Sequence, residues 1–98
     1  MIAITLSAAL VFAPQNSLTF GDATCGTWVA NPAANNEIRA YVMGLWSGRN
    51  TGLMLEVGHS TNGDGVVEEV RLVCRATPSL HIVTATIQVY ERFRREGR

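Results

Sequence analysis

The chain has 98 residues, 47% of them hydrophobic and 16% charged, and its eight basic and eight acidic side chains give a formal net charge of zero. That length allows one domain, and so apolar a composition excludes a disordered segment. All eight basic residues are arginine, and without a basic excess a partner held through phosphates is excluded, so nucleic acid is set aside.

The chain opens on an apolar run from Ile2 to Ala13, followed by the polar Pro14-Gln15-Asn16-Ser17. It reads as the apolar region of a signal peptide covering about residues 1–20, and it falls short of the roughly 20 residues that cross a bilayer. No Lys or Arg precedes the run, which leaves open a start further upstream or a buried N-terminal segment of the mature protein. The working domain is then 21–98. A domain this small buries only about 60% of the surface its unfolded chain exposes, so a further constraint is expected.

Cys25 and Cys74 can supply it. An exported chain meets an oxidising compartment, where disulfides persist, and two cysteines allow a single intramolecular pairing. Closing a loop on the order of 50 residues is worth about 4 kcal/mol in the chain-entropy model. A reactive thiol or a metal pair are the alternatives, although there is no CxxC and only His59 and His81 could add soft ligands.

In chain order, Thr24 can cap a short helix over Cys25-Gly26-Thr27-Trp28-Val29 that Pro32 ends. Asn31 to Asn36 reads as a polar loop whose last residue caps the next helix, with Glu37 at that helix's positive end. Ile38, Tyr41, Val42, Leu45 and Trp46 fall at i, i+3, i+4, i+7 and i+8, the spacing of one buried helix face. Gly44 and Gly48 interrupt it and are expected to mark close packing or the helix end, with a turn over Ser47 to Gly52. Leu53 to Val57 fits a continued helix or a short strand, and five residues cannot decide between them.

Gly58 to Gly65 is a loop by composition, with Thr61 or Asp64 as the cap of the next helix. Val66, Val67, Val70, Val73 and Cys74 then form a second apolar stripe, opposite Glu68, Glu69, Arg71 and Arg75. Thr77-Pro78 reads as a helix start, with Leu80, Val83, Ile87, Tyr90 and Phe93 as the buried face of the last helix. The β-branched residues between Ile82 and Val89 also suit a strand, but sixteen or so residues without a turn signal favour helix. The cationic tail from Arg92 to Arg98 reads as a solvated helix end.

Residues that carry chemistry are sparse. No Gly-x-Ser-x-Gly, His-Glu-x-x-His or phosphate-binding glycine loop is present, so no catalytic residue, cofactor or metal ligand is assigned. Asn62-Gly63-Asp64-Gly65 resembles part of a calcium loop, but Ser60 and Arg71 would occupy the terminal ligand positions, and a turn is the better reading. Trp28 and Trp46 fit a small core, or exposed anchors for a partner protein, and Tyr41 joins Trp46 in the second role. Met43 and Met54 read as core filler.

Cys25-x-x-Trp28, Tyr41-x-x-Gly44-x-x-Ser47-Gly48-x-Asn50 and Val70-x-x-Val73-Cys74-x-x-x-Pro78, closed by a final helix, together resemble a family of small exported proteins of Gram-negative bacteria. The plan is similar to that of the HdeA acid-stress chaperones, and also to type VI secretion immunity proteins. The resemblance covers about Thr24 to Phe93. It implies an all-α fold, a small orthogonal bundle of about four helices with one disulfide tying the first helix to a later one, in the periplasm or secreted. It further implies a non-enzymatic protein that binds other proteins or a second copy of itself. Protonation of Glu37, Glu56, Glu68 and Glu69 would then loosen an acid-sensitive dimer and expose apolar surface. An immunity protein or a structural envelope protein are the alternatives.

Overall fold

In the computed structural model the described residues are 23–98, so the signal segment read over 1–20 lies outside them. They form four α-helices: α1 (Cys25–Ala30), α2 (Asn35–Leu53), α3 (Gly63–Ala76) and α4 (Ile82–Arg95), with a 3-10 turn, Pro32–Ala34, between α1 and α2. The fold is an all-α bundle of four helices closed by one disulfide, Cys25 to Cys74, whose Cα atoms are 4.7 Å apart. Among the described residues no free cysteine remains.

Local chemistry starts each helix in a different way. Thr24 caps α1, its side chain accepting from the Thr27 N–H as its sequence position predicts. Asn36 does not cap α2: the 3-10 turn leads directly into Asn35, and Ala34 precedes the helix with no side-chain cap. Asn62 rather than Thr61 or Asp64 caps α3, accepting from the Gly65 N–H, while Asp64 sits in the first turn.

Thr77-Pro78 does not start α4. Thr77 closes α3, and the Pro78 carbonyl accepts from the Gly26 N–H at 2.9 Å. The helix begins four residues later, after His81, because the chain there pairs with the residues preceding α1. Cys25 N–H donates to Leu80 O at 2.8 Å and Ile82 N–H to Ala23 O at 2.9 Å, so a tertiary acceptor replaces the missing cap.

Gly44 and Gly48 neither end α2 nor mark a close approach, since a Cβ at either position would meet nothing within 4 Å. Both face solvent, and the helix runs through the expected turn to Leu53 because Ile38, Val42 and Trp46 are buried on its other side. It ends at Met54 in the left-handed conformation (φ 57°, ψ 45°), whose N–H bonds back to the Asn50 and Thr51 carbonyls. Leu53 to Val57 is thus the last helical residue, the cap and a turn.

The core joins Cys25 and Trp28 of α1, Ile38, Val42 and Trp46 of α2, Val66, Val67, Val70 and Cys74 of α3, and Ile82, Ala85, Val89, Tyr90 and Phe93 of α4. The α2 and α3 stripes follow the sequence pattern at Ile38, Val42, Trp46, Val66, Val67, Val70 and Cys74, while Tyr41, Leu45 and Val73 are half-buried. On α4 the face is rotated: Tyr90 and Phe93 are buried, but Ile82, Ala85, Thr86 and Val89 complete it, while Val83 and Ile87 lie at its half-buried margin. Thr86, fully buried, donates to the Ile82 carbonyl at 2.8 Å, which is how a β-branched polar residue is accommodated inside a helix.

Candidate functional site

Two asparagines that hydrophobic patterning ignores hold the helices in register. Asn50 on α2 donates through Nδ2 to the Val57 carbonyl (3.0 Å), and its Oδ1 accepts from the Val57 N–H (3.0 Å) and from the Tyr90 hydroxyl (2.8 Å). The Val57 carbonyl also accepts from the Trp46 indole N–H at 2.8 Å. One amide thus ties the turn after α2 to the buried ring of α4. Gly58 follows with φ 97°, and a Cβ there would lie 3.0 Å from Trp46 Nε1, so both the backbone and the space require glycine.

Asn35 plays the same part at the other end of the molecule, its Oδ1 accepting from the Trp28 indole N–H (3.2 Å) and from Arg71 (2.9 Å). From the sequence Asn35 is expected in a loop and Asn50 in a turn, whereas both lie in α2, and their partners are between 7 and 40 residues away.

Trp46 is 5% exposed and meets Tyr90 and Phe93 edge-on, with ring centroids 5.0 and 5.5 Å away. Its edge lines a groove of about 230 Å³ together with Met43, Val57, Gly58 and Val66. Tyr41 is half-buried and packs against the core from one turn earlier. Trp28 is 2% exposed. Exposed apolar side chains lie elsewhere, at Val29, Leu53, Leu72 and above all Met54, which is 90% exposed. Met54 is therefore not core filler: the left-handed cap turns it outward.

Between α3 and α4 runs a larger open groove of about 570 Å³, with Val73, Ile87 and Val89 in its lining and Glu91, Arg92 and Arg95 at one end. Ion pairs link the three long helices. Arg39 of α2 pairs with Asp64 of α3, Arg49 of α2 with Glu91 of α4 at 2.9 Å, and Arg92 of α4 with Glu69 of α3. Each pair of long helices is thus joined by an arginine–carboxylate contact. Arg94 also reaches Glu91, Arg98 pairs with Glu96, and Glu68 faces both Arg71 and Arg75.

The tail is less solvated than expected. Arg98 N–H donates to the Phe93 carbonyl, its own carbonyl accepts from the N–H groups of Gly58 and Ser60, and its guanidinium lies 3.9 Å from the Phe93 ring centroid.

His59 and His81 are both exposed and far apart in sequence. Among the described residues no group of three His, Cys, Asp or Glu side chains could hold a metal ion, and no helix is long and apolar enough to cross a membrane. No protein-family model, curated protein or solved structure matches this chain.

Proposed function

We propose that the chain is a non-enzymatic protein of the periplasm or the extracellular space that binds other proteins, and that it acts as a chaperone-like module opened by acid. The observation that carries the reading is the set of three arginine–carboxylate pairs linking α2, α3 and α4, set against a disulfide that does not titrate. An oxidising compartment fits the buried Cys25–Cys74 bond.

At pH 2, below the range in which carboxylates ionise, each pair loses its anion, and eight arginines with two histidines bring the side-chain charge to +10. The α4 end suffers most. Arg49, Arg92, Arg94 and Arg98 there depend on Glu91, Glu69 and Glu96. Partly exposed pairs contribute about 1 kcal/mol or less each, against roughly 4–11 kcal/mol for a domain of this size, so acid loosens the bundle without abolishing it. Helix α4 lies outside the loop that the disulfide closes, so its detachment uncovers Ile82, Val89, Tyr90 and Phe93 while α1 to α3 stay tied.

The test compares the full chain at pH 7 and pH 2 for binding of an apolar dye, sedimentation behaviour and suppression of aggregation of an acid-sensitive model protein. A gain in all three is expected at low pH. Unchanged dye binding and size would overturn the reading.

A second reading, an inhibitor that blocks one secreted toxin through a preformed surface, draws on Met54, held 90% exposed at a backbone-bonded cap. Tight binding of a single partner at neutral pH, lost on Met54→Ser, separates it from acid-dependent binding of many clients.

A further inference from the structure

Helices α1 and α3, with Pro32 of the 3-10 turn and Asn35 at the start of α2, line an open pocket of about 370 Å³ whose walls are Trp28, Val29, Pro32, Asn35, Arg71 and Arg75. Its composition is one-sided. Two guanidinium groups and an amide supply its polar side chains alongside the Trp28 indole, no carboxylate lines it, and the rest of the wall is apolar. Arg71 is fixed from three directions: it donates to Asn35 Oδ1 at 2.9 Å, contacts Glu68 through Nε at 3.3 Å, and its guanidinium carbon stands 4.9 Å from the Trp28 ring centroid. Arg75, one turn further along α3, is half-exposed, and its ion pair is a 3.8 Å contact to Glu68, near the outer limit of such a contact.

Both walls are rigid with respect to each other. Cys25 of α1 and Cys74 of α3 are bonded to each other, and the Pro78 carbonyl holds the Gly26 N–H at the base of α1. A site built on these two helices loses little conformational freedom on binding. Val29, which forms part of the wall, is 46% exposed among the described residues.

We propose that this pocket docks an acidic-apolar segment of a partner protein. Arg71 and Arg75 receive a Glu or Asp carboxylate, and a neighbouring aliphatic side chain rests on Val29, Pro32 and the edge of Trp28. Charge complementarity selects the carboxylate, because a guanidinium pair binds it through charge-assisted hydrogen bonds, while the apolar wall selects its neighbour. The incoming carboxylate competes with Glu68 for Arg75. The site exists in the closed bundle and needs no acid opening, so it stands or falls separately from the chaperone reading.

The experiment is calorimetric titration of the intact, oxidised protein at pH 7.5 with a capped pentapeptide, Gly-Leu-Glu-Leu-Gly, and with its Gln counterpart. The Glu peptide is expected to bind at least about tenfold more tightly, a difference of about 1.4 kcal/mol. Arg75→Glu, at an exposed position and checked by thermal melting, should abolish that preference, with Arg75→Gln as the charge-neutral companion. Glu68→Gln should tighten binding several-fold by releasing Arg75, a result that a purely structural role for Glu68 would not give. Equal affinity for the Glu and Gln peptides, no effect at Arg75, weakening by Glu68→Gln, or no binding at millimolar peptide each overturns the assignment. A simple carboxylate such as 3-phenylpropionate binding as tightly as the peptide would overturn a protein partner in favour of a small acid.

Discussion

Replacing Asn50 with Ala removes three hydrogen bonds at once, and the structure says which groups are left stranded. The Val57 carbonyl keeps the Trp46 indole, but the Val57 N–H and the Tyr90 hydroxyl lose their acceptor. Tyr90 is fully buried, so water cannot substitute there without disturbing the core. A stranded buried polar group costs about 1–3 kcal/mol, and allowing for hydration of the half-exposed Val57 the total comes to about 2–4 kcal/mol. For a domain of this size that lowers the melting temperature by roughly 10–25 °C.

The assay is urea unfolding of Asn50→Ala, Tyr90→Phe and the double variant. Tyr90→Phe should cost about 1 kcal/mol in the native background, because Asn50 Oδ1 keeps one donor. In the Asn50→Ala background it should be neutral or stabilising, since it deletes the hydroxyl that has lost its acceptor. The coupling energy is then about 1 kcal/mol or more. The reasoning is refuted by a cost of Asn50→Ala below about 0.5 kcal/mol, or by Tyr90→Phe effects that simply add.

Gly44→Ala and Gly48→Ala should each stabilise by about 0.5–1 kcal/mol, because both lie inside α2 with open space where a Cβ would go; a lower melting temperature in either variant would show a close contact. Replacing Cys25 and Cys74 together with Ser should lower stability by about 4 kcal/mol, measured by chemical denaturation against the oxidised parent. A loss below about 1 kcal/mol would mean that the unfolded chain gains little freedom when the bond is removed.

Local periodicity made the inner faces of α2 and α3 legible. Ile38, Val42 and Trp46, and Val66, Val67, Val70 and Cys74, repeat at helical spacing and are all buried. What escaped was decided by distant groups. Thr77-Pro78 carries every local mark of a helix start, yet Pro78 serves instead as an acceptor for Gly26, more than fifty positions earlier in the chain. Helix α4 accordingly begins at Ile82, and its buried stripe shifts with it. Gly44 and Gly48 were misleading because glycine's cost of about 1 kcal/mol is small beside the burial of Val42 and Trp46 on the opposite face. Asn35 and Asn50 gave no pattern at all, since an amide announces its partners only when the chain is folded. The α1/α3 pocket was hidden for the same reason: Trp28 and Arg71 are remote in sequence.

The bond between positions 25 and 74 makes a closed ring of the first three helices, with the last one as a free arm. A single protease cut in the exposed stretch around His59 to Asn62 therefore opens the ring but separates nothing. The nicked molecule migrates as one band on a denaturing gel until reductant is added, then as two. A cut at the exposed Ala76 to Ser79 connection instead yields a fragment that only noncovalent packing retains, so the two kinds of nick report separately on covalent and on purely physical cohesion.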